Sequence, residues 1–294
     1  MKQNITLLLL AAVMVAGCGR PDGERRQVLE NKGSDTLVNV AQAWAEAYQE
    51  VNPNLAIAVT GGGSGTGIAA MINGQVDLAN SSRKIKDSEM ELAIANGQQP
   101  VEHIVGYDAL AVFLHNDNPM DSITLEQLAS IYGENGTVES WTQLGVEVPG
   151  CREQEIVRVS RQNNSGTFSY FRDTVLGNDG DFKLGSRDMH GSKDVVDLVH
   201  NTACAIGYSG LAYANEHVKT PCVGEGENCV IPSVETAVNR SYPIARPLYM
   251  YTNGEPTGAV KEYLDFILSD EGQCIIQDMG YAPARDVSCE APSA

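Results

Sequence analysis

The chain contains 294 residues, of which 43% are hydrophobic and 20% are charged; this composition excludes a wholly disordered protein and allows two domains of ordinary size. Its formal net charge of −18 argues against nucleic acid as a partner, because contacts to nucleic-acid phosphates need clustered lysine and arginine. The charge does not exclude a small anion as ligand, since exposed charges are screened within roughly 8–10 Å at physiological salt.

The first segment of the chain is typical of an export signal. Lys2 supplies a positive charge, and residues 5–15 form an apolar run that is too short to span a bilayer. Cys18 follows two small residues, which resembles the lipobox of bacterial lipoproteins. We predict a lipoprotein signal peptide over residues 1–17 and a tether over residues 18–27, lipidated on Cys18, which would anchor an exported protein to a membrane on the periplasmic side. The alternative is an ordinary signal peptide with a chance cysteine.

Strand-like and helix-like segments alternate through the region after the tether. The predicted strands cover residues 28–32, 55–60 and 76–79, and the predicted helices cover residues 36–51, 68–73 and 88–96. Such alternation is typical of βαβ units and predicts an α/β fold with a mostly parallel sheet. In open sheets of this kind, ligands bind beyond the carboxyl ends of the strands.

Three loops place glycines and hydroxyl residues between a predicted strand and a predicted helix. They are residues 33–36, 61–67 and 161–167. The start of a helix presents unpaired backbone N–H groups and a partial positive charge, hydroxyls add hydrogen-bond donors, and glycine allows close approach of the backbone. Because there are three such loops and the last begins with Arg161, the sequence predicts a site for a dehydrated oxyanion held by convergent helix starts.

Two long apolar segments, Ile104–His115 and Tyr242–Thr252, are each strand-like and long enough to pass from one lobe to another. Two such crossings predict lobe one at residues 28–110 with 245–290 and lobe two at residues 111–244, with a hinged cleft between them. The alternative is that both segments are central strands of a single domain.

Six cysteines follow Cys18, and an even number in an exported chain indicates disulfides. Six cysteines allow 15 connectivities. The spacing favours the close pairs Cys222–Cys229 and Cys274–Cys289, which leaves Cys151 with Cys204. A metal site is the competing interpretation, but the chain has no Cys-x-x-Cys and its five histidines show no ligand spacing. We therefore expect neither a metal nor another cofactor.

With these loops in place, the chain resembles the phosphate-binding proteins of bacterial phosphate ABC transporters, in the periplasmic-binding-protein superfamily. The resemblance extends from about Val28 to Pro283, and its motifs are residues 33–37, 63–67, 77–83 and 161–167. It implies a two-lobed type II fold, in which each lobe is a mostly parallel sheet flanked by helices and two hinge strands join the lobes. It also implies a receptor that captures inorganic phosphate between the lobes and hands it to a membrane ABC permease.

The resemblance assigns ligand-binding roles position by position. Thr36 would donate its hydroxyl and Leu37 its backbone N–H, while Arg161 matches the arginine that contacts phosphate. The candidate phosphate-binding residues are Ser34, Asp35, Thr36, Leu37, Ser64, Gly65, Ser82, Arg83, Arg161, Ser165, Gly166 and Thr167. Because these residues are drawn from both predicted lobes, binding would close the cleft.

The chain departs from the family pattern at two positions. Ser82 stands where many members have an acidic residue that accepts the proton of hydrogen phosphate, and Asn163 stands where many have an aspartate paired with the arginine. We therefore expect a more positive pocket. A buried acceptor discriminates against sulfate, which has no proton to donate, because an unpaired buried polar group costs roughly 1–3 kcal/mol. Asp35 is the nearest replacement acceptor, unless it stabilises the start of the first helix; Ser82 Oγ is a weaker one.

Other interpretations stay open from the sequence. Arg83 either binds the anion or pairs with a surface carboxylate. Catalysis is not expected, because the loops lack Gly-x-Ser-x-Gly and Gly-Lys-Ser/Thr, and no histidine is placed by sequence to activate a serine. The ligand could instead be sulfate or molybdate, and the same fold could serve a phosphate sensor or a surface adhesin. We expect a monomer.

Overall fold

The computed structural model describes residues 26–177 and 180–289, so the predicted signal peptide, the lipidation site at Cys18 and most of the tether lie outside the described residues. The strands are β1 (Gln27–Gly33), β2 (Leu55–Thr60), β3 (Leu78–Ser81), β4 (Pro100–His115), β5 (Ser122–Ile123), β6 (Val157–Arg161), β7 (Arg187–Met189), β8 (Ala205–Gly210), β9 (Val218–Lys219), β10 (Cys222–Val223), β11 (Ala245–Asn253) and β12 (Ala282–Pro283). The α-helices are α1 (Val38–Val51), α2 (Ser64–Ile72), α3 (Asp87–Ala95), α4 (Leu125–Tyr132), α5 (Gly166–Phe171), α6 (Ser192–His200), α7 (Val234–Val238), α8 (Gly258–Ile267) and α9 (Asp270–Asp278). A π-helical segment, Arg172–Leu176, continues α5.

Two helix starts differ from the prediction at the loops. Helix α1 begins at Val38 rather than at Thr36, and α2 begins at Ser64 rather than at Ile68. Apolar periodicity detects only turns that bury hydrophobic side chains, and the first turn of α2 is Ser-Gly-Thr-Gly, which carries no such pattern. As a result, Ser64 is the first residue of α2 and its side chain lies at the amino end of the helix.

One continuous sheet runs in the order β2-β1-β3-β11-β4-β8-β6-β7. Strands β2, β1 and β3 are parallel to one another, and so are β8, β6 and β7. Between the two sets, β4 and β11 run antiparallel to each other and to the strands beside them. The predicted α/β class and the parallel strands of each lobe are confirmed, and the two long strands lie at the centre of the sheet where the lobes join.

Among the described residues, the hydrophobic core consists of four clusters, two in each half of the molecule on either side of β4 and β11. One half is built around Trp44 and the other around Trp141, both fully buried. Along the chain, core membership changes between residues 105 and 109 in β4 and between residues 244 and 248 in β11. We call the half with Trp44 lobe one and the half with Trp141 lobe two. The exact lobe boundaries given above stay a prediction.

Three disulfides stabilise the lobes individually. They join Cys151 to Cys204, Cys222 to Cys229 and Cys274 to Cys289, as predicted from the sequence. The first two lie in lobe two and the third in lobe one, so no disulfide among the described residues ties one lobe to the other. The disulfides of the described residues therefore do not constrain one lobe relative to the other.

In the described part of the chain, no group of three or more His, Cys, Asp or Glu side chains could hold a metal ion. Among the same residues, no helix combines the length and the apolar character needed to cross a membrane.

Candidate anion-binding site

The loops predicted from the sequence meet at the carboxyl ends of parallel strands from both lobes. In lobe one, the turn after β1 carries Thr36, α2 begins with Ser64, and β3 leads directly into Ser82. In lobe two, β6 ends at Arg161, and Ser165 precedes the first residue of α5. Since the carboxyl ends of parallel strands lie at one edge of a sheet, each lobe presents its polar loops to the other.

Buried hydroxyl groups from the two lobes form the centre of the site. Thr36 Oγ1 lies 3.1 Å from Thr167 Oγ1 across the cleft, and Ser64 Oγ lies 3.3 Å from Ser82 Oγ. A Cβ added to Gly166 would lie 2.3 Å from Ser64 Oγ and 2.5 Å from Ser82 Oγ. All four hydroxyl residues are almost completely buried. The start of α5 therefore packs directly against the serine hydroxyls of lobe one, and glycine is needed there.

Several other candidate groups are already paired within the protein. The Ser165 side chain accepts a hydrogen bond from the Thr167 backbone N–H at 3.2 Å and caps α5. The backbone N–H of Leu37 donates to Ser34 O at 3.2 Å, and that of Gly65 donates to a carbonyl of lobe two at 2.9 Å. The side-chain hydroxyls, rather than these two amides, are thus the main donors that the site offers.

Arg161 brings a fully buried positive charge to the cleft. Its Nη1 donates to Ser192 Oγ at 2.9 Å, and its Nη2 donates to His190 O at 2.8 Å and to Asp35 Oδ2 at 3.3 Å. Its Nε donates to Met189 O at 3.4 Å. Burial lowers the pKa of this guanidinium and the Asp35 carboxylate opposes the shift, so the group stays charged at neutral pH. The second N–H of Nη1 has no acceptor among the described residues and is available to an anion.

Asp35 reaches across the cleft from lobe one to lobe two. Its Oδ2 accepts the backbone N–H of Ser192 at 2.6 Å as well as the Arg161 guanidinium. The expectation of a more positive pocket is corrected here: Asn163 cannot pair with the arginine, but a buried guanidinium needs a counter-charge, and Asp35 supplies one from the opposite lobe. The Oδ2 atom of this carboxylate is therefore placed to hold the lobes together.

Asn164 makes further polar contacts between the lobes. Its Nδ2 donates to Gly62 O at 3.0 Å, and its backbone carbonyl accepts the N–H of Gly65 at 2.9 Å. Gly63 has a φ of 94°, and a Cβ there would lie 2.7 Å from Asn164 O. Only glycine combines this backbone conformation with so close an approach. The structure thus has the lobes in contact across the cleft.

The four hydroxyl residues Thr36, Ser64, Ser82 and Thr167 are called the hydroxyl cluster below. Arg83 lies outside this cluster. Its two terminal nitrogens donate to the two carboxylate oxygens of Glu89 at 2.7 Å each, and Nη1 also donates to Lys84 O at 3.0 Å. This bidentate pair engages both terminal nitrogens within lobe one. The geometry therefore favours pairing with a carboxylate over binding of the anion. We therefore remove Arg83 from the candidate ligand set.

Sequence reasoning missed a second buried ion pair, between Asp108 on β4 and Arg246 on β11. Arg246 Nη2 lies 2.8 Å from Asp108 Oδ2, and the side chains are 0% and 1% exposed. Burial raises the pKa of Asp108, whereas the charge of Arg246 lowers it. The available signal was a lone acidic residue inside the long apolar segment around Leu110, since charged residues are rarely buried unless they are paired.

Comparison with known proteins gives a consistent result. The sequence model of the PBP superfamily domain matches residues 20–271. The chain is 34% identical over 268 residues to the phosphate-binding protein PstS of Pseudomonas aeruginosa, which covers 87% of this chain and 82% of the relative. It is 29% identical over 305 residues to PstS of Bacillus subtilis, covering 98% of this chain and 96% of the relative.

A solved structure is also similar. It is described as a phosphate ABC transporter substrate-binding protein from Clostridium perfringens with bound phosphate, and it is 28% identical to this chain. The TM-score is 0.79, and the match covers 88% of this chain and all of the other. The fold of this chain is therefore shared with a protein whose structure is described with bound phosphate.

Proposed function

The chain belongs to the PBP superfamily, and from this premise we propose that it captures inorganic phosphate between its two lobes and delivers it to a membrane ABC permease. The observation that carries this function is the meeting of buried hydroxyls from both lobes beside buried guanidinium groups. Relatives named phosphate-binding protein and a phosphate-bound structural neighbour support the choice of anion. Those relatives are substrate-binding transport proteins, and we propose no catalytic role for Ser64 or Ser165.

The proposed ligand set combines groups of both lobes. Lobe one supplies the hydroxyls of Thr36, Ser64 and Ser82, and lobe two supplies Arg161 and Thr167. These donors replace water around the anion without having to reorganise, because packing and hydrogen bonds already hold them in place. Since neither lobe carries the whole set, tight binding requires the closed arrangement, and the binding free energy favours closure.

We also propose that the receptor is exported and held on the periplasmic side of a membrane by a lipid on Cys18, and that it acts as a monomer. The support for the anchor is the small-residue pattern before Cys18 and the polar segment that follows it. A tethered receptor stays within reach of its permease, and the tether leaves the lobes free to open and close.

Calorimetry on tag-free, phosphate-stripped protein tests the function directly. We expect phosphate to bind at submillimolar concentration, and sulfate and molybdate to bind more weakly. Absence of phosphate binding in that range contradicts the proposal. Equal affinity for all three anions would make the protein a general receptor for tetrahedral oxyanions.

The position of Asp35 predicts a specific effect of the substitution Asp35→Asn. Removing the charge weakens the bonds to Arg161 and Ser192, and a hydrogen bond to a charged group is worth roughly 1.5–3 kcal/mol, so we expect phosphate affinity to fall about 10- to 150-fold. The phosphate-to-sulfate ratio should stay constant, because both anions need the same closure. Calorimetry with both anions measures the two quantities.

Asp194→Asn is the matched control for this substitution. Its Oδ2 accepts the backbone N–H of Gly191 at 2.9 Å, one residue before Ser192, but entirely within lobe two. We expect less than about a twofold change in affinity, since closure does not alter this contact. If Asp35→Asn instead narrows the phosphate-to-sulfate ratio, Asp35 accepts the ligand proton and its assignment as a contact between the lobes is wrong.

A further inference from the structure

Arg246 donates hydrogen bonds to threonine hydroxyls of both lobes. Its Nη2 donates to Thr167 Oγ1 of lobe two at 3.0 Å and to Thr36 Oγ1 of lobe one at 3.4 Å. Its Nη1 donates to Ser82 O at 3.2 Å, so three segments of the candidate site share one guanidinium. Arg246 lies on β11, one of the two strands that join the lobes. It is thus a buried charge at the junction of the two lobes.

Asp108 fixes the position of this guanidinium. The two residues are direct register partners between β4 and β11. Asp108 Oδ2 accepts one hydrogen bond from Arg246 Nε at 3.2 Å and one from Arg246 Nη2 at 2.8 Å. The Tyr170 ring covers the other side, with its centroid 5.6 Å from Arg246 Cζ. A buried ion pair is weak evidence of a contribution to stability, because desolvation offsets most of the attraction between the charges. The contacts of Arg246 to Thr36 and Thr167 give the pair a second effect, on the orientation of the two threonine hydroxyls.

A guanidinium can only donate hydrogen bonds, whereas a threonine hydroxyl both donates and accepts. Thr167 Oγ1 and Thr36 Oγ1 must therefore accept from Arg246, and their protons point elsewhere. The 3.1 Å contact between the two hydroxyls uses one of these protons. The other is directed away from Arg246, where an anion in the cleft can accept it. Without Arg246, either hydroxyl could turn its lone pairs toward the anion and repel it.

We propose that Arg246, held by Asp108, is a positioning residue that orients the Thr36 and Thr167 hydroxyls as donors to the bound anion. This inference rests on the proposed function. It adds the pair of Asp108 and Arg246, which contacts the ligand-binding groups. The bonds of Nη2 are already shared among three acceptors, so the effect of Arg246 passes through the threonines. The positive charge of the guanidinium also offsets the negative charge of the bound anion.

A double-mutant cycle with phosphate as the probe tests the proposal. The pair is neutralised together, as Asp108→Asn with Arg246→Met, so that no buried charge is left unpaired. Thr167→Val, which removes the hydroxyl and keeps the shape, is made alone and combined with the neutral pair. Phosphate affinity is measured by calorimetry for all four proteins, and circular dichroism verifies folding.

We expect Thr167→Val to lower phosphate affinity about tenfold in the wild-type protein and less than about threefold in the neutral-pair background, because there the hydroxyl is no longer oriented. Neutralising the pair alone should lower affinity at least about tenfold. Equal effects of Thr167→Val in both backgrounds would overturn the proposal, since the Thr167 hydroxyl would then serve the anion equally well with and without Arg246. Loss of phosphate binding in the wild type would instead contradict the proposed function.

The matched control is an arginine–carboxylate pair that lies within lobe two. Arg158 Nη1 lies 2.7 Å from Glu139 Oε2 and contacts no residue of the hydroxyl cluster. Arg158→Met with Glu139→Gln should leave both the affinity and the effect of Thr167→Val unchanged. If the protein that carries the neutral pair does not fold, the variant Arg246→Lys takes its place in the cycle. Lysine keeps the charge beside Asp108 but cannot span both threonines and Ser82 O, so the Thr167→Val effect must again shrink; an undiminished effect overturns the proposal.

Discussion

Replacing Arg161 by methionine should lower phosphate affinity by about 30-fold to several thousand-fold. Truncating one partner of a buried, hydrogen-bonded charge pair costs roughly 2–5 kcal/mol, and each 1.4 kcal/mol corresponds to a factor of ten. The loss has two sources: the anion loses a positively charged donor, and Asp35 keeps a negative charge at the cleft with no guanidinium beside it. Calorimetry on phosphate-stripped protein measures the change.

Arg158→Met is the control for this prediction. Arg158 lies on the same strand, three residues before Arg161, but its partner Glu139 is 54% exposed and Arg158 makes no hydrogen bond to the hydroxyl cluster. We expect its phosphate affinity to stay within about a factor of two, because exposed ion pairs contribute little. If Arg161→Met reduces affinity less than about tenfold in a folded protein, Arg161 does not bind the anion.

Replacing Gly166 by alanine should prevent closure without unfolding the protein. The new methyl group would lie 2.3 Å and 2.5 Å from the Ser64 and Ser82 hydroxyl oxygens of the other lobe. Opening the cleft relieves this overlap, and alanine is the better residue within a helix by roughly 1 kcal/mol. Overpacking costs roughly 1–3 kcal/mol, so phosphate affinity should fall about 5- to 150-fold.

Two measurements distinguish this effect from loss of fold. Urea unfolding without phosphate should give a free energy of unfolding equal to or above that of the wild type, while calorimetry shows the loss of affinity. Gly61→Ala is the control, because its added Cβ would meet its nearest neighbour, Val38 Cγ2, at 3.6 Å, an ordinary contact. Wild-type affinity in Gly166→Ala would mean that the start of α5 does not approach the two serines when phosphate is bound.

Much of the fold and of the site could be predicted because the signals are local. Alternating strand and helix patterns, two long apolar segments and loops of glycine, serine and threonine each lie within short stretches of the chain. A loop between a parallel strand and a helix must open at the carboxyl edge of the sheet, so its chemistry and its position are specified together. This is why the sequence alone identifies the loops that carry Thr36, Ser64 and Ser165.

The partners of the arginines could not be predicted in the same way. Arg161 pairs with Asp35, 126 residues earlier, and Arg246 with Asp108, 138 residues earlier, whereas Arg83 pairs with Glu89 only six residues away. A charged side chain carries no periodic pattern that identifies its partner, and an acidic chain offers many carboxylates. Local order along the chain determined the lobes, the loops and the hydroxyl donors. Burial on folding selected which carboxylate balances each guanidinium, because desolvation forces every buried charge to find its counter-charge wherever the chain brings one close.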